Sequence, residues 1–448
     1  MSMLASLIFQ ITLLTLIFAF FTYACIIADP ETSQVAKVCT QTIPSYLFNK
    51  IKRLIGEKNF TKLEKWMDRS LQIVYLILVL GSWSIIFTYG YDAIDNSKYV
   101  RSQHKYIGYI VFAMCMGSWH YACTTSPGNV TSKTIALFDH YEYDNLMYTD
   151  RECPTLKIRK IARSKYDRCT NRHGEFDFMV CMKWLLFCTS IVGTLFLFKV
   201  PRFDHYCGWL NQAVGERNYR WFLLFLIVHV FMCVYGSWAM GTVLYGEILD
   251  KNLFNATFYN ASTGMEVKAD YFILLHFLMM RHFEIMAIML LMTVMSVCLG
   301  IFLGFHLYIT SVNMTTNEFF KWRAVKKFHK IETKRYQQAL KDGKVKPAQK
   351  NHVKAKPGTL DDVDVGCVGP EGGTSPSKAN EDDVILNPGP MPRNKYNNGI
   401  VMNFMEVIKP LSTRDKALQR YRATLKNGGN EETNGSNDLK PKAMLIAS

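Results

Sequence analysis

Residues Leu4 to Ala28 are 25 consecutive positions without a charged side chain. About 20 apolar residues are enough to cross the hydrocarbon of a bilayer as a helix. The stretch exceeds a signal-peptide core and no basic segment precedes it, so it reads as a retained membrane helix. Leu71–Tyr91, Tyr106–Cys123, Trp221–Tyr245 and Ile285–Ile309 repeat the pattern, which predicts about five spans. Tyr271–Met280 is apolar but short, and Arg281, His282 and Glu284 close it off, so it reads as an interfacial or re-entrant piece. The expected fold class is an all-α polytopic membrane protein with a small cytosolic Cys-rich-type domain and a partly disordered C-terminal tail.

The 52 Lys and Arg against 37 Asp and Glu leave a net charge of +15. The excess is divided between loops and tail rather than gathered on one surface, which argues against nucleic acid as a partner and for anionic lipid. Eight basic residues lie between Asp29 and Ser70. Arg151–Arg220 and Lys321–Lys356 are basic too, whereas the loop between the second and third spans has little beyond Lys98 and Arg101. Short loops rich in Lys and Arg stay in the cytosol, which predicts a lumenal N-terminus and a cytosolic tail. The sequons at Asn255 and Asn260 fall in a loop then expected to be lumenal, where they are glycosylation candidates. The twelve cysteines are scattered through apolar segments and outline no secreted disulfide framework.

Four regions follow: 1–149, an N-terminal three-helix membrane region; 150–220, a cytosolic domain with an atypical insert at 174–199; 221–311, the C-terminal membrane helices; and 312–448, the tail. The tail should open with a basic helix from Asn317 to about Lys341. Disorder is expected over about 342–390, order again at Asn394–Pro410, and disorder over the last twenty residues.

The chemistry concentrates in Asp204-His205-Tyr206-Cys207, just ahead of a span. A thiol transfers acyl groups as thiolate, an adjacent imidazole can take its proton, and a carboxylate on the far ring nitrogen steadies the imidazolium. Alone, such a tetrapeptide is ordinary. Its flanks are not: Trp209, Asn211, Gly215 and Asn218 follow at fixed spacing, Arg159–Lys165 lies upstream, and Thr315-Thr316-Asn317-Glu318 follows the last span. Asn394-Lys395-Tyr396-Asn397-Asn398-Gly399 comes near the end, with Asn403-Phe404 after it.

Together these segments resemble the DHHC family of protein S-acyltransferases, in a DHYC variant, over roughly Tyr106 to Val407. The resemblance implies that Cys207 carries the acyl group, with His205 as base and Asp204 as its orienter. It implies that Thr316 bonds Asp204, and that Tyr396 and Asn403 pin the tail. Palmitoyl-CoA would be the co-substrate, with no cofactor required. Its phosphates would meet Arg163, Lys165, Arg172, Arg202 and Arg217. The partners would be the bilayer, acyl-CoA and membrane-associated protein substrates, in the endoplasmic reticulum or Golgi.

Two departures stand out. The family's eight zinc-ligand positions hold Cys153, Leu156, Tyr166, Asp167, Thr170, His173, Tyr206 and Ala213 here. Of these only Cys153 keeps the family's residue type, with His173 in place of a cysteine, and two residues do not hold four-coordinate zinc. Second, removing Gly174–Lys199 restores the family's spacing. The insert is span-like, yet a sixth span would turn Cys207 away from the cytosol. Gly174-Glu175-Phe176 is what a splice donor would encode and Leu195–Lys199 what an acceptor would, so the insert reads as an untranslated intron carried into the gene model, the alternative being a genuine interfacial helix or hairpin. The alternative function is a non-catalytic membrane scaffold. Channel or transporter chemistry is disfavoured by spans with few internal charges.

Overall fold

A computed structural model describes residues 38, 42–153, 157–166, 199–259, 264–343 and 387–432. Helix α1, Ile43–Ile55, ends where Gly56 adopts φ 78°, a conformation that costs glycine little. Helix α2, Glu57–Ile85, runs on through a π-helical turn at Ile86–Gly90 and a last turn at Tyr91–Asp95. Helix α3 is Gln103–Thr124 and α4 the single turn Ile135–Phe138. Three short antiparallel pairs follow: β1 Lys165–Tyr166 with β2 Lys199–Val200, β3 His205–Cys207 with β4 Gln212–Val214, and β5 Thr257–Tyr259 with β6 Glu266–Lys268. Between β4 and β5 lies α5, Tyr219–Asp250. After β6 come α6, Tyr271–Arg281, and α7, Phe283–Ser311. The tail supplies α8, Thr316–Lys341, α9, Ile400–Ile408, and α10, Asp415–Glu432.

By length and composition, three helical segments among the described residues can cross a membrane: Ser70–Asp95, Tyr219–Asp250 and Phe283–Ser311. The first expected span lies outside the described residues. The third, α3, is a helix of 22 residues that packs along α5. Tyr271–Arg281 is a separate short helix, divided from α7 at His282. One core joins these helices: Trp83, Ile86 and Tyr91 meet Val111 and Cys115 of α3, Met240 and Val243 of α5, and Ile285 and Met292 of α7. Gly236 lets α5 approach α7, since a Cβ there would collide with Met292. Much of the remaining helix surface is apolar and exposed, including Ile77, Ile110, Phe231, Val297 and Ile301, as lipid contact requires.

A second packed unit sits at one end of the bundle. Met147, Tyr148, Ala162, Trp322, Val325 and Tyr396 share a core, so loop, basic helix and C-terminal segment form one body that begins before residue 150. Helix α10 was not expected; it reaches Glu432, into the stretch read as disordered. Most of the expected disordered segment, and of the insert, falls outside the described residues. Lys165 pairs with Val200, the residue that follows the insert, and Tyr166 with Lys199, the insert's last residue.

Candidate functional site

The β3–β4 hairpin presents the thiol. Asp204 N–H bonds Val214 O at 2.9 Å, and the register sets His205 opposite Val214 and Cys207 opposite Gln212. Its loop turns through Asn211 at φ 54°, and Asn211 Oδ1 accepts from Tyr206 Oη at 2.8 Å. Asn218, at the start of α5, donates to Ala213 O at 2.9 Å and accepts from Gly215 N at 2.8 Å, tying hairpin to span. The hairpin loop rests on the ends of two bundle helices. Trp119 Nε1 donates to Trp209 O at 3.4 Å, Gln72 Nε2 reaches Leu210 O at 3.5 Å, and Gln212 Nε2 donates to Ala122 O. Cys207, 7% exposed, thus joins an apolar cluster with Tyr75, Trp119, Phe222 and Leu226, with Phe302 against it.

Asp204 is buried and held by three donors: Thr316 N at 2.7 Å, Thr316 Oγ1 at 2.9 Å and His205 Nδ1 at 2.6 Å. Burial alone would raise its pKa. The hydrogen bond and charge of His205, His306 and the Thr316 amide outweigh this and bring it down to about 2. Desolvation likewise disfavours the His205 cation, but hydrogen bonds to Asp204 and Cys207, and their charges, raise it to about 10. His205 is therefore the imidazolium of a charged pair at neutral pH, with 23% of its side chain open to solvent.

The Thr-Thr-Asn-Glu segment has a local physical role besides. Thr315 Oγ1 accepts from Glu318 N at 3.2 Å and Glu318 Oε2 from Thr315 N at 2.9 Å, a capping box that starts α8. That start aims Thr316 at Asp204 and Glu318 at Arg163.

Arg163 and Arg202 do not face a ligand, which corrects the expectation that they meet CoA phosphates. Arg163 donates to Glu318 Oε1 at 2.7 Å, Glu318 Oε2 at 2.8 Å and Asn313 Oδ1 at 3.0 Å. Its guanidinium lies 4.7 Å from the Tyr141 ring and 4.7 Å from that of Tyr396. Arg202 Nη2 donates to Asn313 Oδ1 at 2.9 Å, and Glu406 Oε1 is 3.7 Å from its Nε. Both side chains are buried and committed to joining loop, α8 and tail. Tyr396 and Asn403 belong to the same junction: Asn313 Nδ2 donates to Tyr396 O at 2.8 Å, Tyr396 Oη to Glu142 O at 3.1 Å and Asn403 Nδ2 to Ser311 O at 2.8 Å. Of the remaining basic candidates, Arg217 is exposed and Lys165 half-buried over Phe203. Arg172, His173 and Asn260 lie outside the described residues. Asn255 is exposed, with Nδ2 donating to Asn252 Oδ1 at 2.8 Å.

The donors that are described do not fit the family's zinc. Tyr206 and Ala213 stand directly opposite each other across the hairpin, so two ligand positions on facing strands hold a phenol and a methyl. The Tyr206–Asn211 bond closes the turn instead. Cys153 is buried, but Leu156 lies outside the described residues. Elemental analysis of purified protein should find fewer than two zinc ions per chain; two tightly held ions would contradict the ligand count.

His306 was not anticipated. It lies near the end of α7, 1% exposed, with its ring centroid 5.7 Å from that of His205. Nitrogen or oxygen atoms of Asp204, His205 and His306 all lie within 4.8 Å of one another, but the Asp204 and His205 atoms already bond each other and Thr316. The available signal was an ionisable side chain within an otherwise apolar span.

A thiol, an imidazole and an ordered carboxylate thus stand together at the head of α5, in a helical protein with three segments long and apolar enough to cross a membrane among the described residues. Residues 195–323 match the DHHC palmitoyltransferase family. The chain is 32% identical over 170 residues to the palmitoyltransferase SWF1 of Yarrowia lipolytica, covering 37% of each chain. It is 24% identical over 289 residues to the palmitoyltransferase ZDHHC4 of mouse, which covers 64% of this chain and 74% of that one. Protein S-acyltransferase 8 of Arabidopsis thaliana matches at 32% over 129 residues, 28% of this chain and 26% of that one. Over residues 195–323 the chain is thus similar to the DHHC palmitoyltransferase family, and it spans little more than a third of the Yarrowia lipolytica relative.

Proposed function

We propose that this chain is a protein S-acyltransferase that loads itself from palmitoyl-CoA on Cys207 and passes the acyl group to a cysteine of a membrane-proximal protein. The observation that carries this reading is the Asp204–His205 pair bonded at 2.6 Å beside a thiol in an apolar cluster. The Cys207 thiolate attacks the thioester carbonyl, the bond to the CoA sulfur breaks, and His205 gives its proton to the departing CoA thiolate. In the second half, neutral His205 takes the proton of the incoming cysteine, which attacks the Cys207 thioester and frees it. Lys165 and Arg217, with Arg172 outside the described residues, remain the candidates for the CoA phosphates. A scaffold would have no use for three hydrogen bonds fixing Asp204, which supports the enzyme.

The reading is tested by loading purified protein with labelled palmitoyl-CoA and releasing the label with neutral hydroxylamine. The rate should change little from about pH 6.5 to 9 and fall as pH rises through about 10, where His205 loses the proton it must give. The signs for stability run the same way. The raised His205 contributes fully below its unfolded value of 6.5 and is lost as pH rises through about 10. The lowered Asp204 contributes above 3.8 and is lost as pH falls through about 2. A rate that already collapses between pH 7 and 8 would refute the charged pair.

Orientation is part of the same reading, with Cys207, the acyl-CoA and the tail in the cytosol of an endoplasmic reticulum or Golgi membrane. The pairing of Tyr166 with Lys199 supports it, because the chain at Tyr166 and at Lys199 then lies on one side of the bilayer. Endoglycosidase should shift the mobility of the unmodified chain but not of an Asn255→Gln/Asn260→Gln variant, and a C-terminal tag should be digestible from outside sealed microsomes. A tag protected inside the vesicles would overturn the orientation. Transcript sequence across 174–199 would show whether the insert is translated.

A further inference from the structure

His306 has one ring nitrogen placed and one left over. Its Nδ1 lies 3.1 Å from Tyr219 Oη, which in turn lies 3.1 Å from Thr310 Oγ1. Its Nε2 is buried and meets no partner among the described residues. Phe222 and Phe302 pack edge-on against the ring with centroids at 4.9 Å and 4.6 Å, so the ring is confined. An imidazole nitrogen left unpaired in an apolar interior is unfavourable, and an ionisable side chain inside a membrane helix usually has a task. The atoms nearest in chemistry are those of Asp204 and His205.

We propose that His306 is a positioning residue of the transfer centre, donating an N–H toward Asp204 in the acyl-enzyme, when His205 has given up its proton. At rest Asp204 is matched by the His205 cation. Once the CoA thiolate departs with that proton, His205 is neutral and the buried carboxylate keeps only the Thr316 donors and an uncharged imidazole. A further N–H from His306 then compensates the anion. No proton moves in this step; a hydrogen bond forms to a group whose counter-charge has left. The inference rests on the acyltransferase reading and deepens it.

The experiment compares acyl-enzyme formation at equilibrium, with palmitoyl-CoA and free CoA both present, in the unmodified chain and in His306→Phe, His306→Gln and Tyr219→Phe. His306→Phe should lower the ratio of acylated to free enzyme roughly tenfold, since a hydrogen bond to a buried charge is lost in one state only. KM for palmitoyl-CoA should stay within about twofold, because the resting state never used that bond. His306→Gln keeps an N–H donor and should recover most of the ratio. Tyr219→Phe removes one oxygen and loosens the ring, so it should shift the ratio the same way by about threefold, even if His306→Phe fails to fold. An unchanged ratio in the folded variants would overturn the proposal, as would a glutamine variant no better than phenylalanine. If the unmodified chain forms no acyl-enzyme, the acyltransferase reading itself fails, and the two failures are told apart by that control.

Discussion

Replacing Cys207 with serine should abolish hydroxylamine-sensitive acylation of the chain, lowering the loading rate roughly 10³-fold or more. The serine hydroxyl fits the same hairpin position, so folding should be unaffected. What disappears is the nucleophile, because a hydroxyl does not exchange its proton with the neighbouring imidazole at neutral pH as a thiol does. Any slow oxygen ester on the introduced serine would resist neutral hydroxylamine and be told from a thioester. Wild-type labelling of the variant would place the acyl group on another cysteine and remove the main conclusion. Cys115, Cys153 and Cys233 are the other buried thiols among the described residues.

Arg163→Ala is expected to destabilise the protein by about 3–5 kcal/mol, the usual consequence of removing one partner from a fully buried ion pair. The side chains of Arg163 and Glu318 are 0% and 1% exposed. Without the guanidinium, Glu318 would be left as a buried carboxylate and the Tyr141 and Tyr396 rings would face a void. Helix α8 and the C-terminal segment should then loosen together, and Thr316 would no longer be aimed at Asp204. Thermal unfolding in detergent measures the first effect and limited proteolysis between α8 and α9 the second. Lys165→Ala is the contrast, with stability near wild type and a raised KM for palmitoyl-CoA. An Arg163→Ala variant as stable as wild type but weak in acyl-CoA binding would return Arg163 to the ligand role that its burial argues against.

Much was legible in the sequence. Spans show there because lipid demands unbroken apolar length, and α5, α7 and the apolar part of α2 lie close to where hydropathy set them. The Asp204, His205 and Cys207 set was legible because a thiol, an imidazole and a carboxylate stand within four residues of the chain. Roles that depend on the third dimension were not. A charge run gives no sign of which arginine faces solvent, so Arg163 and Arg202 looked like ligands until burial against Glu318, Asn313 and Glu406 made them struts of the fold. Met147 and Tyr396 are far apart in the chain yet share a core, which no local pattern announces.

The residues of this chain by themselves determined that it lives in a membrane and carries a thiol–imidazole–carboxylate set, because apolar length and short-range chemistry are local properties. Only tertiary structure decided how that set is held. Thr316 reaches Asp204 across 112 residues, and Asn313 reaches Tyr396 across 83. His306 comes beside His205 from another helix. Hydrogen bonds and ion pairs act over a few ångströms of space whatever the distance along the chain, so they exist only once the helices have packed.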